Sequence, residues 1–193
     1  MTWSATERYR LEAAPGGLGL VQDLLNTVAA GPEHRDLLAG VADAQAWADE
    51  AAAAWADVTG RSAPRVTLDA EGLRELRAVR DGLREVAARG AGTGEPAPVP
   101  ELSAATALRL GEDGVVRLEP RGSGRHHLVA VILAEMYEGQ RADTARRLKS
   151  CRNPLCRVAF YDRSRNNSGV WHDVKTCGNT ANLRAYRARQ RER

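Results

Sequence analysis

The chain contains no apolar run near the roughly 20 residues that a membrane-spanning helix needs. Its first ten residues, MTWSATERYR, lack the apolar core segment of a secretory signal peptide. With 43% hydrophobic and 27% charged residues, the composition is that of a soluble globular protein. These observations argue against a membrane protein and predict a cytoplasmic one, in which cysteines stay reduced.

Signatures of catalysis are also missing from the sequence. It has no nucleotide-binding glycine loop, no nucleophile beside a suitable base, and no pair of carboxylates at a defined spacing. Internal repeats are absent as well. We therefore expect a protein that is not an enzyme.

Cysteine is scarce, and all three cysteines lie within one stretch, residues 151–177. Four residues separate Cys151 from Cys156, four separate His172 from Cys177, and fifteen lie between the two pairs. Short ligand pairs flanking a loop are typical of tetrahedral Zn²⁺ sites, because each pair closes a tight turn around the metal. Four protein ligands leave no position for water, so the spacing predicts one structural zinc ion.

Three other interpretations compete with zinc. A disulfide would leave one cysteine unpaired and does not suit a reducing compartment. Free buried thiols are a second interpretation, although the polar residues around Cys151 and Cys156 make a poor apolar setting. In the third, His172 is a surface residue beside a site of three thiolates.

The run CGN at residues 177–179, the tryptophan before His172 and the loop FYDRSRNNS resemble the CGNR-type zinc finger. That family carries the finger behind an ABATE domain of stress-induced transcription regulators, and the stretch GLGLVQDLLNTV resembles the opening of that domain. The resemblance implies a DNA-binding regulator with zinc ligands at Cys151, Cys156, His172 and Cys177. The chain departs from the family at three places: it has His172 for a cysteine, Thr180 for the final arginine, and Gly169-Val170 for an arginine pair.

Charge is unevenly distributed along the chain. From residue 146 onward, 13 Lys and Arg oppose 3 Asp and Glu, whereas the first 145 residues carry a balance of −7. A basic tail on an acidic body predicts a polyanionic partner for the tail. A last helix after Cys177 would place three arginines on one exposed stripe. The candidate nucleic-acid contacts are Arg165, Lys175, Arg184, Arg187, Arg189 and Arg191.

Hydrophobic periodicity predicts an α+β, mainly helical fold, in which a helical body with a small antiparallel sheet precedes a C-terminal zinc finger. We expect helices over 20–28, from a cap at Asp43 past Trp55, and from a start at Thr67 or Asp69 to residue 90. A further helix over 125–149 should run straight into Cys151. Residues 7–13 are predicted as a strand that pairs with a hairpin at 106–120, whose turn contains Asp113-Gly114. Residues 90–100 are predicted as a flexible loop. We place an ABATE-like domain at 1–145 and the finger with its basic helix at 146–193.

Several residues of the body admit a functional and a structural interpretation. Asp23, Asn26 and Thr27 could line a ligand site, but satisfaction of nearby backbone at a helix end is favoured. The tryptophans at helical spacing are assigned to the core rather than to a ligand cage. The adjacent histidines 126–127 are assigned to the surface rather than to a metal.

The leading hypothesis is a DNA-binding transcription regulator. Its finger and last helix contact DNA through arginines, while the N-terminal domain senses a small-molecule ligand or forms a homodimer. The alternative is a zinc-stabilised module that binds RNA or an acidic protein. In that case Phe160, Tyr161, Asn166 and Asn167 would stack on and read an unstacked strand.

Overall fold

Helix α2, Leu18–Leu25, lies at the centre of the fold, and all eight of its residues are buried. The structure, a computed structural model, describes residues 2–30, 33–90, 92, 98–180, 183, 187 and 190. The predicted helix here is confirmed, although it ends earlier, at Leu25. Thr27 satisfies nearby backbone as expected, because its hydroxyl donates to the Leu24 carbonyl at 2.7 Å.

The N-terminal segment forms helix α1, Ser4–Glu7, and the strand predicted at residues 7–13 is wrong. Alternating apolar residues suggested a strand, but this segment forms hydrogen bonds between side chains and backbone and not a β-ladder. The Thr6 amide donates to Asp23 Oδ1 at 2.8 Å, and the Tyr9 hydroxyl donates to the Val28 carbonyl at 2.6 Å. The hairpin therefore has no third strand from this part of the chain.

Helix α3, Val41–Thr59, ends at Gly60, whose φ of +68° is the left-handed conformation that glycine adopts without strain. Asp43 does not cap it, since the helix begins two residues earlier and Asp43 pairs instead with Arg35 at 3.0 Å. Trp47 and Trp55 are buried core residues, as predicted. Each indole N–H also donates to a buried carboxylate at 2.9 Å, that of Asp23 and of Glu135 respectively.

Helix α4, Ala70–Gly90, is the long amphipathic helix that the sequence predicts. Asp69 caps it, because its Oδ1 accepts from the Gly72 amide at 2.7 Å. Residues 91 and 93–97 of the predicted loop lie outside the described residues. The predicted hairpin is confirmed: β1, Thr106–Leu110, pairs antiparallel with β2, Val116–Pro120, around a turn in which Gly114 has a φ of +74°.

Helix α5, Gly124–Arg141, is shorter than predicted and does not run into Cys151. It ends where Asp143 adopts a φ of +58° and the Thr144 amide donates to the Gly139 carbonyl at 2.8 Å. After a 3-10 turn at Ala145–Arg147, strand β3, Leu148–Ser150, leads to Cys151. It pairs antiparallel with β4, Ala159–Tyr161. The finger is therefore entered through a strand.

The mainly helical α+β class is confirmed, with two small antiparallel sheets among the described residues. One apolar core joins α2, α3, α4 and α5, and Leu148 and Ala159 of the second sheet belong to it. Among the residues that the structure describes, no helix combines the length and hydropathy needed to cross a bilayer.

Candidate metal centre

The first cysteine pair sits in a tight turn that β3 and β4 hold in place. The Cys151 amide donates to the Val158 carbonyl at 2.8 Å, which extends the strand pairing by one step. The Cys156 amide donates to the Asn153 carbonyl at 2.9 Å and closes the turn. The two thiols are thereby brought to one side of a loop of eight residues, 151–158.

The second pair is built by a helical turn. Asp173 caps it, since its side chain accepts from the Thr176 amide at 3.0 Å, and a π-helical turn over Val174–Gly178 follows. The Cys177 amide donates to the Asp173 carbonyl at 3.0 Å. This turn places Cys177 beside His172, so that two residues separated by four others lie next to each other.

The four side chains form one Cys3His cluster. The ligand atoms of Cys151, Cys156, His172 and Cys177 all lie within 4.8 Å of one another. Cys156 Sγ lies 3.2 Å from His172 Nδ1. A tetrahedral zinc ion with standard bond lengths separates its ligand atoms by roughly 3.5–3.8 Å, so this donor set suits zinc. The three cysteines are free thiols, which removes the disulfide interpretation.

The thiols are too close together to ionise independently. The hydrogen bond from Cys156 lowers the pKa of Cys151 to about 4, and the same contact with Cys151 raises the pKa of Cys156 well above its usual range. Burial raises the pKa of Cys177, although Asn153 Nδ2 donates to its Sγ at 3.3 Å. The three thiols can therefore all ionise only beside a cation, and a divalent metal would supply that charge.

Apolar residues from the N-terminal segment shield the cluster, which sequence reasoning missed. Tyr9 and Leu11 pack with Trp171 around Ala30, Val158 and the three cysteines. Their spacing along the chain suggested a strand, and nothing local connects them to a site some 140 residues later. The candidate centre is thus walled partly by the body and not by the finger alone.

A buried ion pair, also missed, organises the loop that follows β4. Lys149 Nζ lies 2.8 Å from Asp162 Oδ2, and both side chains are almost completely buried. Lys149 also donates to the carbonyls of Asn167 and Gly169 at 2.7 and 3.0 Å. Burial would raise the pKa of Asp162, but hydrogen bonds from Lys149, Ser164 and Gly169 outweigh it and hold that pKa well below its usual range.

This network accounts for one departure from the CGNR pattern. The Gly169 amide donates to Asp162 Oδ2 at 2.7 Å. A Cβ at position 169 would lie 2.8 Å from Asp162 Oδ1, which is closer than side chains approach. An arginine there would therefore have to displace the buried carboxylate.

The candidate nucleic-acid contacts divide into two groups. Arg165, Lys175 and Arg187 are exposed. Arg184, Arg189 and Arg191 lie outside the described residues. Phe160, which the RNA alternative needs for stacking, is buried with 6% exposure, so it is not available to a base in this conformation.

The finger is clamped to the body at Asn26. Its side chain donates to the Ala159 carbonyl and accepts from the Ala159 amide, both at 2.9 Å. Asn26 thus satisfies backbone, as favoured from the sequence, but 133 residues away and not locally. The two bonds fix β4, and with it the turn that carries the cysteines, against α2.

Two family models match the chain. The ABATE model, described as "Putative stress-induced transcription regulator", matches residues 18–147, and the CGNR zinc finger model matches residues 147–190. Neither is an enzyme family by its description. No curated protein matches the chain.

Proposed function

Because the chain belongs to the ABATE family and its C-terminal part matches the CGNR zinc finger, we propose that it is a zinc-dependent, DNA-binding transcription regulator of the cytoplasm, without enzymatic activity. The observation that carries the proposal is the Cys3His cluster at the base of a strongly basic C-terminal segment. In this proposal the finger and last helix, residues 146–193, contact DNA, and residues 1–145 form the regulatory domain.

The metal would be structural. Cys151, Cys156, His172 and Cys177 would hold one Zn²⁺ and fill its four positions, which leaves none for a substrate or water. When bound, zinc neutralises the crowded thiolates and fixes the turn at residues 174–178. The last helix predicted from the sequence would follow that turn, so in this proposal the metal sets the direction of its arginines.

Arg165, Lys175 and Arg187 support DNA binding because they are exposed, and Arg184, Arg189 and Arg191 complete the candidate set from the sequence. Arginine suits this task, since its guanidinium contacts phosphate and guanine in a bidentate manner. If about five of these cations meet phosphates, log K falls against log[salt] with a slope near −4.5. Between about 50 and 200 mM salt, that slope corresponds to a loss of roughly 500-fold in affinity.

The test is a salt titration of the zinc-loaded protein on duplex DNA, single-stranded RNA and heparin. We expect Arg184→Ala with Arg187→Ala to flatten the duplex slope by about two units without changing zinc content. Arg109→Ala, on the hairpin, is the matched control and should leave the slope unchanged. A protein that prefers the RNA, or that binds no duplex at low salt, would contradict the proposal.

A cavity beside the finger supports ligand sensing by the N-terminal domain. It has a volume of about 260 Å³ and a mainly apolar lining, with Gln140 and Arg146 among its walls. This size suits a small apolar molecule with one polar group. Since Ala145 and Leu148, which lead into β3, also line it, an occupant would contact the entry to the finger. Filling the cavity with Ala87→Trp should abolish any thermal shift that such molecules produce in the parent.

The hairpin supports the homodimer part of the proposal. Leu108, Leu110 and Val116 are exposed by 75%, 68% and 59%, which is unusual for neighbouring apolar residues on a short sheet. A second copy could cover this patch in a two-fold arrangement. Light scattering should then report a dimer that Leu108→Lys with Leu110→Lys converts to a monomer, and a monomeric parent would contradict this part.

A further inference from the structure

An open cleft separates α4 from the turn that carries the first two cysteines. Its volume is about 620 Å³, and its walls include Arg84 and Glu85 of α4 together with Ser150, Arg152 and Arg157 of the finger. Both halves of the chain therefore contribute to it. None of these five residues is among the ligands or tail arginines assigned above.

Positive charge dominates the cleft. Among the described residues that line it are three arginines and one carboxylate, that of Glu85. Arg152 and Arg157 are exposed, and within the described part of the chain their side chains make no hydrogen bond or ion pair. Exposed cations that line one cleft and lack partners are an arrangement that an anion stabilises.

Arg84, on the α4 side of the cleft, is fixed by hydrogen bonds to backbone carbonyls. Its guanidinium donates to the Leu25 carbonyl at 2.9 Å and to the Arg157 carbonyl at 2.7 Å. Burial and then the nearby Arg157 charge lower its pKa to about 10, so it remains protonated at neutral pH. The body thus supports the backbone of the residue that follows Cys156.

Arg157 has a backbone conformation that is unusual for a residue with a side chain. Its φ is +62°, in the left-handed region that favours glycine. A glycine would build the same turn after Cys156 without strain, so the turn itself does not require arginine. A strained residue of this kind is a reason to look for a role of its side chain.

We propose that the cleft between α4 and the cysteine turn binds two neighbouring backbone phosphates of duplex DNA, one through Arg152 and one through Arg157, with Arg84 positioning Arg157. A planar guanidinium group binds two phosphate oxygens at once, and the two arginines line the cleft from one turn. The proposal rests on the proposed DNA-binding function and adds a contact in which the body takes part. The tail would then supply one set of contacts and the cleft a second set.

The test compares zinc-loaded full-length variants on a labelled duplex of mixed sequence by fluorescence anisotropy. Arg152→Ala with Arg157→Gly removes both charges and keeps the turn, because glycine accepts the left-handed conformation. We expect the salt slope to flatten by about 1.8 units. If the DNA affinities of the variant and the parent become equal near 1 M salt, this slope corresponds to a roughly 60-fold loss of affinity at about 100 mM salt. Arg152→Lys with Arg157→Lys keeps the charges and should keep the slope, and zinc content and thermal midpoint should not fall in either.

Two further variants separate the cleft from the tail. Arg152→Ala alone leaves the strained turn untouched and should flatten the slope by about 0.9 units, which covers the case of a double variant that folds poorly. If the cleft variants bind like the parent while Arg184→Ala with Arg187→Ala loses affinity, the cleft proposal is overturned and the regulator proposal stands. If the parent itself binds no duplex at about 50 mM salt, both are overturned.

Discussion

Asp23 is a carboxylic acid at the centre of a helix in which every residue is buried. Its oxygens accept from the Thr6 amide at 2.8 Å and from the Trp47 indole at 2.9 Å. Burial outweighs these bonds and raises its pKa from 3.8 to about 6. The folded protein therefore holds this proton more tightly than the unfolded chain does.

The raised pKa predicts an unusual pH dependence. The stability that protonated Asp23 contributes is fully present below pH 3.8 and is lost as pH rises through about 6. The difference between a pKa of 3.8 and one of about 6 corresponds to roughly 3 kcal/mol. The difference in unfolding free energy between the parent and Asp23→Asn should change by up to this amount between about pH 4 and 7, to the disadvantage of the parent.

Carbon NMR of the Asp23 carboxyl group checks the cause directly. We expect its resonance to titrate near pH 6, whereas that of Asp36, whose pKa the Arg80 guanidinium lowers against the effect of burial, should titrate below its ordinary range. An Asp23 resonance that titrates near 3.8 would show that the folded state solvates this carboxylate and would contradict the prediction.

At the metal centre, we expect one zinc per chain and its loss in Cys156→Ala. Removing one of four ligands opens the site, and structural zinc contributes roughly 10–16 kcal/mol of apparent binding energy in small fingers. His172→Cys is the matched control and should keep the zinc, because cysteine is a zinc ligand and the CGNR zinc finger has a cysteine at this position. Elemental analysis of protein prepared without chelators measures all three. Less than half an equivalent in the parent would refute the zinc assignment.

Among the small elements, the loop over residues 162–169 depends most on a single interaction. The Lys149–Asp162 pair is buried, and its two side chains also bind four backbone groups of that loop. Removing one partner of a buried pair leaves an uncompensated charge, which costs more than removing both. The pair should therefore behave as a unit.

We expect Lys149→Met to lower the unfolding free energy by about 3–5 kcal/mol in urea denaturation. Adding Asp162→Asn should cost less than the sum of the two single changes, with a coupling of about 1–3 kcal/mol. Arg146→Met is the matched control: its partner Asp143 lies 2.7 Å away but both side chains are exposed, so the loss should stay below about 1 kcal/mol. Simple additivity in the cycle would contradict the idea of a unit.

Elements whose signals are local could be predicted from the sequence. The cap at Asp69, the Asp113-Gly114 turn of the hairpin and the two four-residue ligand spacings each specify a structure within a few residues. Elements decided by distant partners could not. The strand expected at residues 7–13 failed because the side chains of Arg8 and Tyr9 bind the Val28 carbonyl. The end of α5 was missed because an aspartate, Asp143, adopts the left-handed conformation that usually marks glycine.

At the scale of the molecule, the two predicted regions share their interior. Leu148 and Ala159 lie in the core of the helical body, Asn26 binds Ala159 twice, and Arg163 Nη2 lies 2.8 Å from Glu12 Oε1. These contacts come from β3, β4 and the start of the next loop. The boundary after residue 145 remains a prediction, and these contacts define how to test it.

Two shortened chains separate folding of the body from metal binding. A chain that ends at Ala145 loses Leu148, whose burial is worth about 1.5–3 kcal/mol, and the two bonds of Asn26 at about 1 kcal/mol each. Domains of this size are stable by about 5–15 kcal/mol, so we expect it to fold with a clearly lower thermal midpoint.

A chain that ends at Val170 keeps β3, β4 and the Lys149–Asp162 pair but lacks His172 and Cys177. It should melt cooperatively in chelator at a higher temperature than the shorter chain, as followed by circular dichroism. Equal midpoints would mean that β3 and β4 add nothing to the body, and an unfolded Val170 chain would mean that the body depends on the metal.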